Sequence, residues 1–284
     1  MEREAMSRKV AFVTGASRGI GKASAVALAE VGYDVVATAR TLAEGEKYDY
    51  SPTFAHSGAR AMPGSIEKTA EEVRKRGRKA LAIRLDLLDR ASIDAALART
   101  LHEWGRIDLL LNNGIYQGPG LMEPFLALPD DVTKRIFEGN LFAQIHITQQ
   151  VIRHMLESEG GIVINMTSGA ALGDPPGPLG KGGWGFAYAA SKGAFHRMAG
   201  ILHVEFGRQG IRAYNVNPGY VVTETLRALF GEKSDLDQPH QGSPPEVPAA
   251  AIAWLASNPA AAALAGKTID ARQLCKERGL SAKH

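Results

Sequence analysis

The sequence predicts an α/β fold, a doubly wound parallel sheet in a single domain, and three observations point to it. Short β-branched runs alternate with longer helical stretches from one end of the chain to the other. The strands are near-continuous apolar runs, as strands buried on both faces are. No repeat of about 20–50 residues and no linker divides the 284 residues.

In chain order, Val10–Thr14 reads as a strand, Ile20–Val31 as a helix and Asp34–Ala39 as the second strand. Glu67–Arg76 is a charged helix with Glu71 four residues before Lys75, the spacing of a helical ion pair. Ala80–Leu85 is a strand, Ala91–Trp104 a helix and Leu109–Asn112 a strand. Asp130–Leu156 reads as one long helix. Gly161–Asn165 is a strand, Tyr188–Phe206 a helix and Ile211–Asn215 a strand. Val247–Ser257 is a short helix, and Lys267–Ile269 is read as the last strand, followed by a charged tail over Arg272–His284. Two stretches break the rhythm. Thr41–Ser65, with Pro52, Pro63 and three glycines, reads first as a tolerated surface insertion. Gly169–Gly185 holds ten Gly or Pro residues in 17 and reads as a functional loop.

Composition narrows the function. Hydrophobic residues at 45% and charged residues at 22% exclude wholesale disorder. With 33 basic against 30 acidic residues the net charge is +3, which gives no reason to expect nucleic acid or an acidic membrane as partner. The basic run Arg74, Lys75, Arg76, Arg78 and Lys79 lacks interleaved aromatics and reads as a solvated helix end. Cys275 stands alone, so no internal disulfide or cysteine metal cluster forms. His146 and His154 have no acid beside them to complete a metal set. The start, Met1 to Lys9, is polar, and no run approaches the ~20 apolar residues of a membrane span. A soluble, cytoplasmic setting is the expectation.

The first strand ends in Thr14-Gly15-Ala16-Ser17-Arg18-Gly19-Ile20-Gly21, and a helix follows. Gly15 permits the sharp turn, Gly19 removes a side chain where a pyrophosphate would approach, and Gly21 lets the helix pack close to the sheet. The N–H groups at the helix start face the anion. The second strand closes with Arg40 rather than an acid. An acid there binds the ribose 2′-OH of NAD, whereas an Arg accommodates a 2′-phosphate. Arg40, with Arg18 as a second positive charge, therefore points to NADP(H) over NAD(H). Tyr188 and Lys192, four apart, share a helix face. An ammonium near the phenol lowers the tyrosine's pKa towards the range general acid–base catalysis needs. Ser168, ending its strand, is placed to hydrogen-bond a substrate carbonyl, with Thr167 as the fallback should the register differ by one.

The pattern Thr-Gly-x-x-x-Gly-x-Gly resembles the short-chain dehydrogenase/reductase family, and so do the later motifs over residues 14 to 219. The resemblance implies a Rossmann fold and an NADP(H)-dependent oxidoreductase. Hydride would pass between the nicotinamide and a carbonyl or secondary alcohol. By that likeness Ser17 and Ile20 join the glycines at the cofactor, Asp86 and Leu87 sit near the adenine, and Asn113 lines the cofactor. Gly114-Ile115 stands where Ala-Gly is usual. Tyr188 is the proton donor or acceptor and Lys192 binds the ribose. Asn140 helps hold a water linking the Lys to solvent, Pro218 and Gly219 pass beside the nicotinamide, and Thr223 hydrogen-bonds its carboxamide or the pyrophosphate. Ser168 and Tyr188 are separated by 19 residues where the family places about a dozen. The lengthened loop, carrying Lys181 and Trp184 with Phe186 just beyond, is therefore read as an altered wall of the substrate pocket. Residues 224–245 resemble the family's variable substrate lid; Leu226, Leu229 and Phe230 favour a partly hydrophobic small-molecule substrate. A homo-oligomer is implied, and a dimer is safer to assume than a tetramer because the C-terminal double glycine is absent. A cofactor-sensing protein that keeps the fold and has lost turnover is the alternative from another class.

Overall fold

The computed structural model describes residues 8–158, 160–230 and 242–280. Within them the strands are β1 (Lys9–Thr14), β2 (Tyr33–Ala39), β3 (Lys47–Asp49), β4 (Ala59–Ala61), β5 (Ala80–Arg84), β6 (Leu109–Asn112), β7 (Gly161–Met166), β8 (Ile211–Asn217) and β9 (Thr268–Asp270). The helices are α1 (Gly19–Glu30), α2 (Ile66–Lys75), α3 (Arg90–Trp104), α4 (Asp130–Phe137), α5 (Ala143–Leu156), α6 (Phe186–Phe206), α7 (Glu224–Phe230), α8 (Glu246–Ser257) and α9 (Ala271–Arg278).

Strand polarity and burial explain the sheet. Seven strands run in the order β5-β2-β1-β6-β7-β8-β9, all parallel. Alternate residues point to opposite faces, so each strand feeds two cores. Val13, Val35, Leu111 and Ile164 pack against Leu28, Ile66, Ile252, Leu255 and Leu274, on α1, α2, α8 and α9. Phe12, Val36, Leu110 and Val163 pack against Ile93, Leu97, Ile147, Val151 and Leu202, on α3, α5 and α6. This is the single-domain, doubly wound Rossmann architecture the alternation predicted. β1 lies between β2 and β6, where the strand order reverses, and that position opens a crevice beyond the carboxyl ends of the strands.

Helix starts follow their capping residues. The Ser65 hydroxyl accepts from the Lys68 N–H, and the Asp89 carboxylate from the Ala91 and Ser92 N–H groups. Lys75 pairs with Glu72 at 2.7 Å rather than with Glu71. Arg76 takes the other Glu72 oxygen at 3.2 Å, which ties both cations to one carboxylate.

The structure departs from the sequence reading in three places. The predicted helix Asp130–Leu156 is broken by a π-helical turn at Glu138–Phe142. Gly139 packs against Tyr116 there, and the Asn140 side chain accepts from the Tyr116 N–H, so an outside chain is admitted beside the helix. The expected charged tail from Arg272 onward is instead largely a helix, α9. Asp270 caps it by accepting from the Gln273 N–H, and Ala271, Leu274 and Cys275 are buried beneath it. The 41–65 segment forms the antiparallel pair β3–β4. Of the expected lid, α7 and residues 242–245 are described; 231–241 lie outside the described residues.

Candidate active site

The turn after β1 is built by close backbone approach. Gly15 has φ +66°, and a Cβ on it would stand 2.7 Å from the Gly114 Cα; a Cβ on Gly21 would stand 2.2 Å from the Gly15 carbonyl oxygen. Asn113 locks the opposite wall. Its side-chain amide donates to the Thr14 and Gly15 carbonyls, and its N–H donates to the Thr14 hydroxyl. Gly114, where the family carries Ala, would place a Cβ 3.2 Å from the Gly15 nitrogen, so the smaller residue suits this close contact.

The turn opens into a cleft of about 450 Å³. Gly15, Ser17, Arg18, Gly19, Ile20 and Gly21 line its floor. Arg40, Asp86 and Leu87 line one end; Ser168, Tyr188, Lys192, Pro218, Gly219 and Thr223 line the other. Asn113 also faces it. Thus one cleft gathers sixteen of the seventeen predicted residues, and Asn140 is the exception. Asn140 is buried behind the cleft, 1% exposed. Its Oδ1 accepts from the Tyr116 N–H at 2.8 Å and its Nδ2 donates to the Ser191 hydroxyl at 3.0 Å. Ser191 in turn donates to the Tyr188 carbonyl. Asn140 therefore fixes the chain next to Tyr188 and does not itself face the cleft.

The catalytic candidates have distinct electrostatics. Lys192 is 4% exposed and donates from Nζ to the Met166 carbonyl at 2.7 Å; burial pulls its pKa down to about 7. Burial pushes the Tyr188 phenol up, while a hydrogen bond with Ser168 acts in the opposite direction. The sequence reading expected the ammonium to lower the phenol. Here desolvation is the largest effect on the phenol, and the Lys192 amine is turned to the Met166 carbonyl. The Ser168 hydroxyl also accepts from the Ala170 N–H, which fixes its side chain at the end of β7. Thr167 turns its hydroxyl to His196 Nδ1 at 2.9 Å, which leaves the carbonyl-orienting position to Ser168.

The residues fit a nicotinamide dinucleotide. The glycine cradle would be filled by any Cβ, and the start of α1 already receives an anion: a Glu224 carboxylate oxygen accepts from the Gly19 N–H at 2.9 Å. That carboxylate stands in for a pyrophosphate oxygen at the helix start. At the β2 end, the Arg40 guanidinium lies over the Tyr48 and Tyr50 rings and has no hydrogen bond or ion pair among the described residues. Arg18 differs: it donates to the Pro63 and Gly64 carbonyls and to the Thr41 hydroxyl.

Over residues 9–50 and 50–234 the sequence matches the family model described as short chain dehydrogenase. The chain belongs to the short-chain dehydrogenase family. It is 30% identical to a 3-oxoacyl-[acyl-carrier-protein] reductase of Synechocystis over 94% of this chain and 96% of that protein. It is 29% identical to the 2,3-dihydro-2,3-dihydroxybenzoate dehydrogenase of Bacillus subtilis, covering 86% of this chain and 81% of that one. Among solved structures, acetoin dehydrogenase from Enterobacter cloacae superposes with a TM-score of 0.70 at 27% identity, covering 94% and 97% of the two chains. A short-chain type dehydrogenase/reductase from Mycobacterium marinum gives 0.73 at 26% identity, covering 92% and 93%. This short-chain dehydrogenase is accordingly a hydride-transfer oxidoreductase that uses NAD(P). Among the described residues none of its helices is long and apolar enough to cross a membrane.

Sequence reasoning missed part of the lining. Tyr50 and Pro52, from the segment read as a surface insertion, face the cleft, as do Tyr116 and Met122. The aromatic pair Tyr48-x-Tyr50, eight residues after Arg40, was the available signal. Conversely, residues 169–185 contribute none of the cleft lining. That loop folds on itself, with the Lys181 and Gly183 N–H groups donating to the Pro178 carbonyl. It meets the site at its two ends, where the Ala170 N–H donates to the Ser168 hydroxyl and the Gly185 N–H donates to the Met122 sulfur at 3.4 Å.

Proposed function

We propose that this short-chain dehydrogenase is NADP(H)-dependent and interconverts a carbonyl and a secondary alcohol, with Tyr188 as general acid and base. The observation that carries the reading is the meeting of Tyr188, Ser168 and Lys192 at one end of the cleft whose floor is the glycine turn. When bound, the dinucleotide supplies or accepts the hydride at the substrate carbon. In the reducing direction the Ser168 hydroxyl donates a hydrogen bond to the carbonyl oxygen and fixes the carbon for attack. The Tyr188 hydroxyl gives its proton to that oxygen as negative charge develops there, so a C–H and an O–H bond form together. Lys192, when protonated, stabilises the resulting phenolate and holds the cofactor ribose. In the oxidising direction the phenolate takes the alcohol proton.

Cofactor choice rests on Arg40. No acid stands at the β2 end, and the guanidinium retains its donors for a 2′-phosphate. Leu121, Met122, Met166, Leu226 and Leu229 line the cleft and support a small, partly hydrophobic substrate. Exposed Phe142, Ile201 and Val204, together with Leu126 at 97% exposure, support a homo-oligomer, dimer or tetramer, with these residues at its interfaces.

The test is Tyr188→Phe. Without the hydroxyl, turnover of NADPH with a carbonyl panel falls by about 10²-fold or more, while NADPH binding measured by fluorescence persists. Turnover within a few-fold of wild type sinks the assignment.

A further inference from the structure

An isolated two-stranded ribbon is marginally stable, so β3–β4 needs anchors, and those anchors converge on Arg40. Arg84 holds both oxygens of Glu46, at 2.9 and 2.8 Å. The same guanidinium donates to the Tyr48 hydroxyl at 2.6 Å and to the Arg40 carbonyl at 2.7 Å. On the far side, Arg18 clamps Pro63 and Gly64, and the Met122 N–H donates to the Pro52 carbonyl at 2.8 Å. Tyr50 is buried and its hydroxyl meets the Thr41 hydroxyl at 2.6 Å. The result is a fixed aromatic bed. The Arg40 guanidinium sits 4.4 Å above the Tyr48 ring and 5.3 Å from the Tyr50 ring, and Arg18 packs on Tyr50 at 5.0 Å.

Two features of this bed distinguish it from a tolerated insertion. A planar guanidinium held against aromatic faces keeps its in-plane N–H groups available, because ring contacts occupy its face and not its donors. And the nearby acid, Glu46, is fully engaged by Arg84, with its pKa lowered to about 2. The carboxylate is thereby kept from neutralising Arg40.

We propose that the 41–65 insertion is a phosphate-recognition scaffold in which Tyr48 and Tyr50 are positioning residues that present Arg40, and the Arg84–Glu46 pair keeps that cation unneutralised for the 2′-phosphate of the dinucleotide. The proposal rests on the NADP(H) reading and adds the part of the chain that enforces it. The insertion acts on the phosphate, a monoester dianion present in NADPH and absent from NADH, so its effect separates the two cofactors.

The experiment measures Kd for NADPH and for NADH by fluorescence titration, beside KM and kcat with each, in the full chain, and the shifts in Kd follow those in KM. Tyr48→Leu, which removes the ring beneath Arg40, raises KM for NADPH by about 2- to 5-fold, the worth of one exposed cation–π contact, with KM for NADH and kcat unchanged. Tyr48→Phe keeps the ring and retains most of the preference. An independent route uses Arg84→Ala, which releases Glu46 towards Arg40 and raises KM for NADPH further; adding Glu46→Gln to it restores much of the loss. Rescue by removing an acid is not expected of a merely structural pair. Equal losses for NADPH and NADH in Tyr48→Leu, or no rescue in the Arg84→Ala/Glu46→Gln double variant, overturn the scaffold. Arg40→Ala separates the two layers of inference. If it leaves the NADPH/NADH ratio unchanged, the NADP(H) reading falls and the scaffold with it. If it abolishes the ratio while both scaffold tests are negative, the scaffold alone falls.

Discussion

Segments 41–65 and 169–185 are both long additions to the regular βα alternation, and they end in opposite places. The first carries Glu46, Tyr48 and Tyr50, whose side chains find partners in Arg84 of β5, Arg40 just beyond β2 and Arg18 of the glycine turn, and it becomes part of the cleft. The second is mostly Gly and Pro, satisfies its backbone internally around Pro178, and leaves Leu172 53% exposed. Length and glycine content mark both as unusual. Whether an added loop joins a site depends on the side chains it brings: aromatic and charged groups can be captured by fixed partners, whereas glycine and proline offer only turns.

The largest test of this contrast is Arg40→Asp. Reversing the charge that the first segment presents weakens NADPH by about 10- to 100-fold relative to NADH, the range for losing hydrogen bonds to a charged group, read as the ratio of kcat/KM values. An unchanged ratio removes the cation from cofactor choice.

Next in size is a pH effect at the inner end of the cleft, which neither segment should alter. Lys192 has a pKa of about 7, lowered by burial, so its protonated fraction falls above that value. Carbonyl reduction therefore loses about tenfold in kcat/KM per pH unit above neutrality, and Lys192→Arg, which stays charged, removes the limb. For stability the sign is opposite: the folded pKa lies below the unfolded value of 10.5, so between about 7 and 10.5 the unfolded chain binds more protons and this site's contribution to stability rises with pH. Urea titrations of wild type and Lys192→Met across that window measure it.

A smaller effect is expected at Glu224. Its carboxylate accepts from the Gly19 N–H, where a pyrophosphate oxygen would sit, so Glu224→Gln removes a competing anion. A tighter Kd for both cofactors, by about 2- to 5-fold, is expected from an anion contact at a helix start. Weaker binding would instead make Glu224 part of the cofactor cradle. Smallest of all is a shortened second segment. Replacing residues 173–183 by a tight turn should leave both cofactor KM values within about twofold, because surface changes away from partners are nearly neutral. A large selective loss for NADPH would erase the contrast between the two segments.

Much of the site was legible because its chemistry demands local patterns. Gly15, Gly19 and Gly21 are forced by backbone approach, and Tyr188 and Lys192 share a face by helical spacing. β3–β4 was illegible: Lys47-Tyr48-Asp49 and Ala59-Arg60-Ala61 are three residues each, too short for a period to register, and all six residues are at least partly exposed. The π-helical turn was hidden because its cause, the Tyr116 N–H reaching Asn140, comes from 24 residues away. α9 looked like a charged tail because only Ala271, Leu274 and Cys275 of its eight residues are buried.

The sequence by itself determined the alternation of elements, the doubly buried strands and the glycine turn, since each follows from burial period or backbone freedom within a few residues. Tertiary structure decided what each polar group faces. It turned Asn140 away from the cleft, gave Ser168 rather than Thr167 the place beside Tyr188, turned Arg18 to the insertion's carbonyls and left Arg40's donors open. The physical reason is that hydrogen bonds and ion pairs are satisfied by whichever partner the fold brings within about 3 Å, and sequence distance carries little information about that.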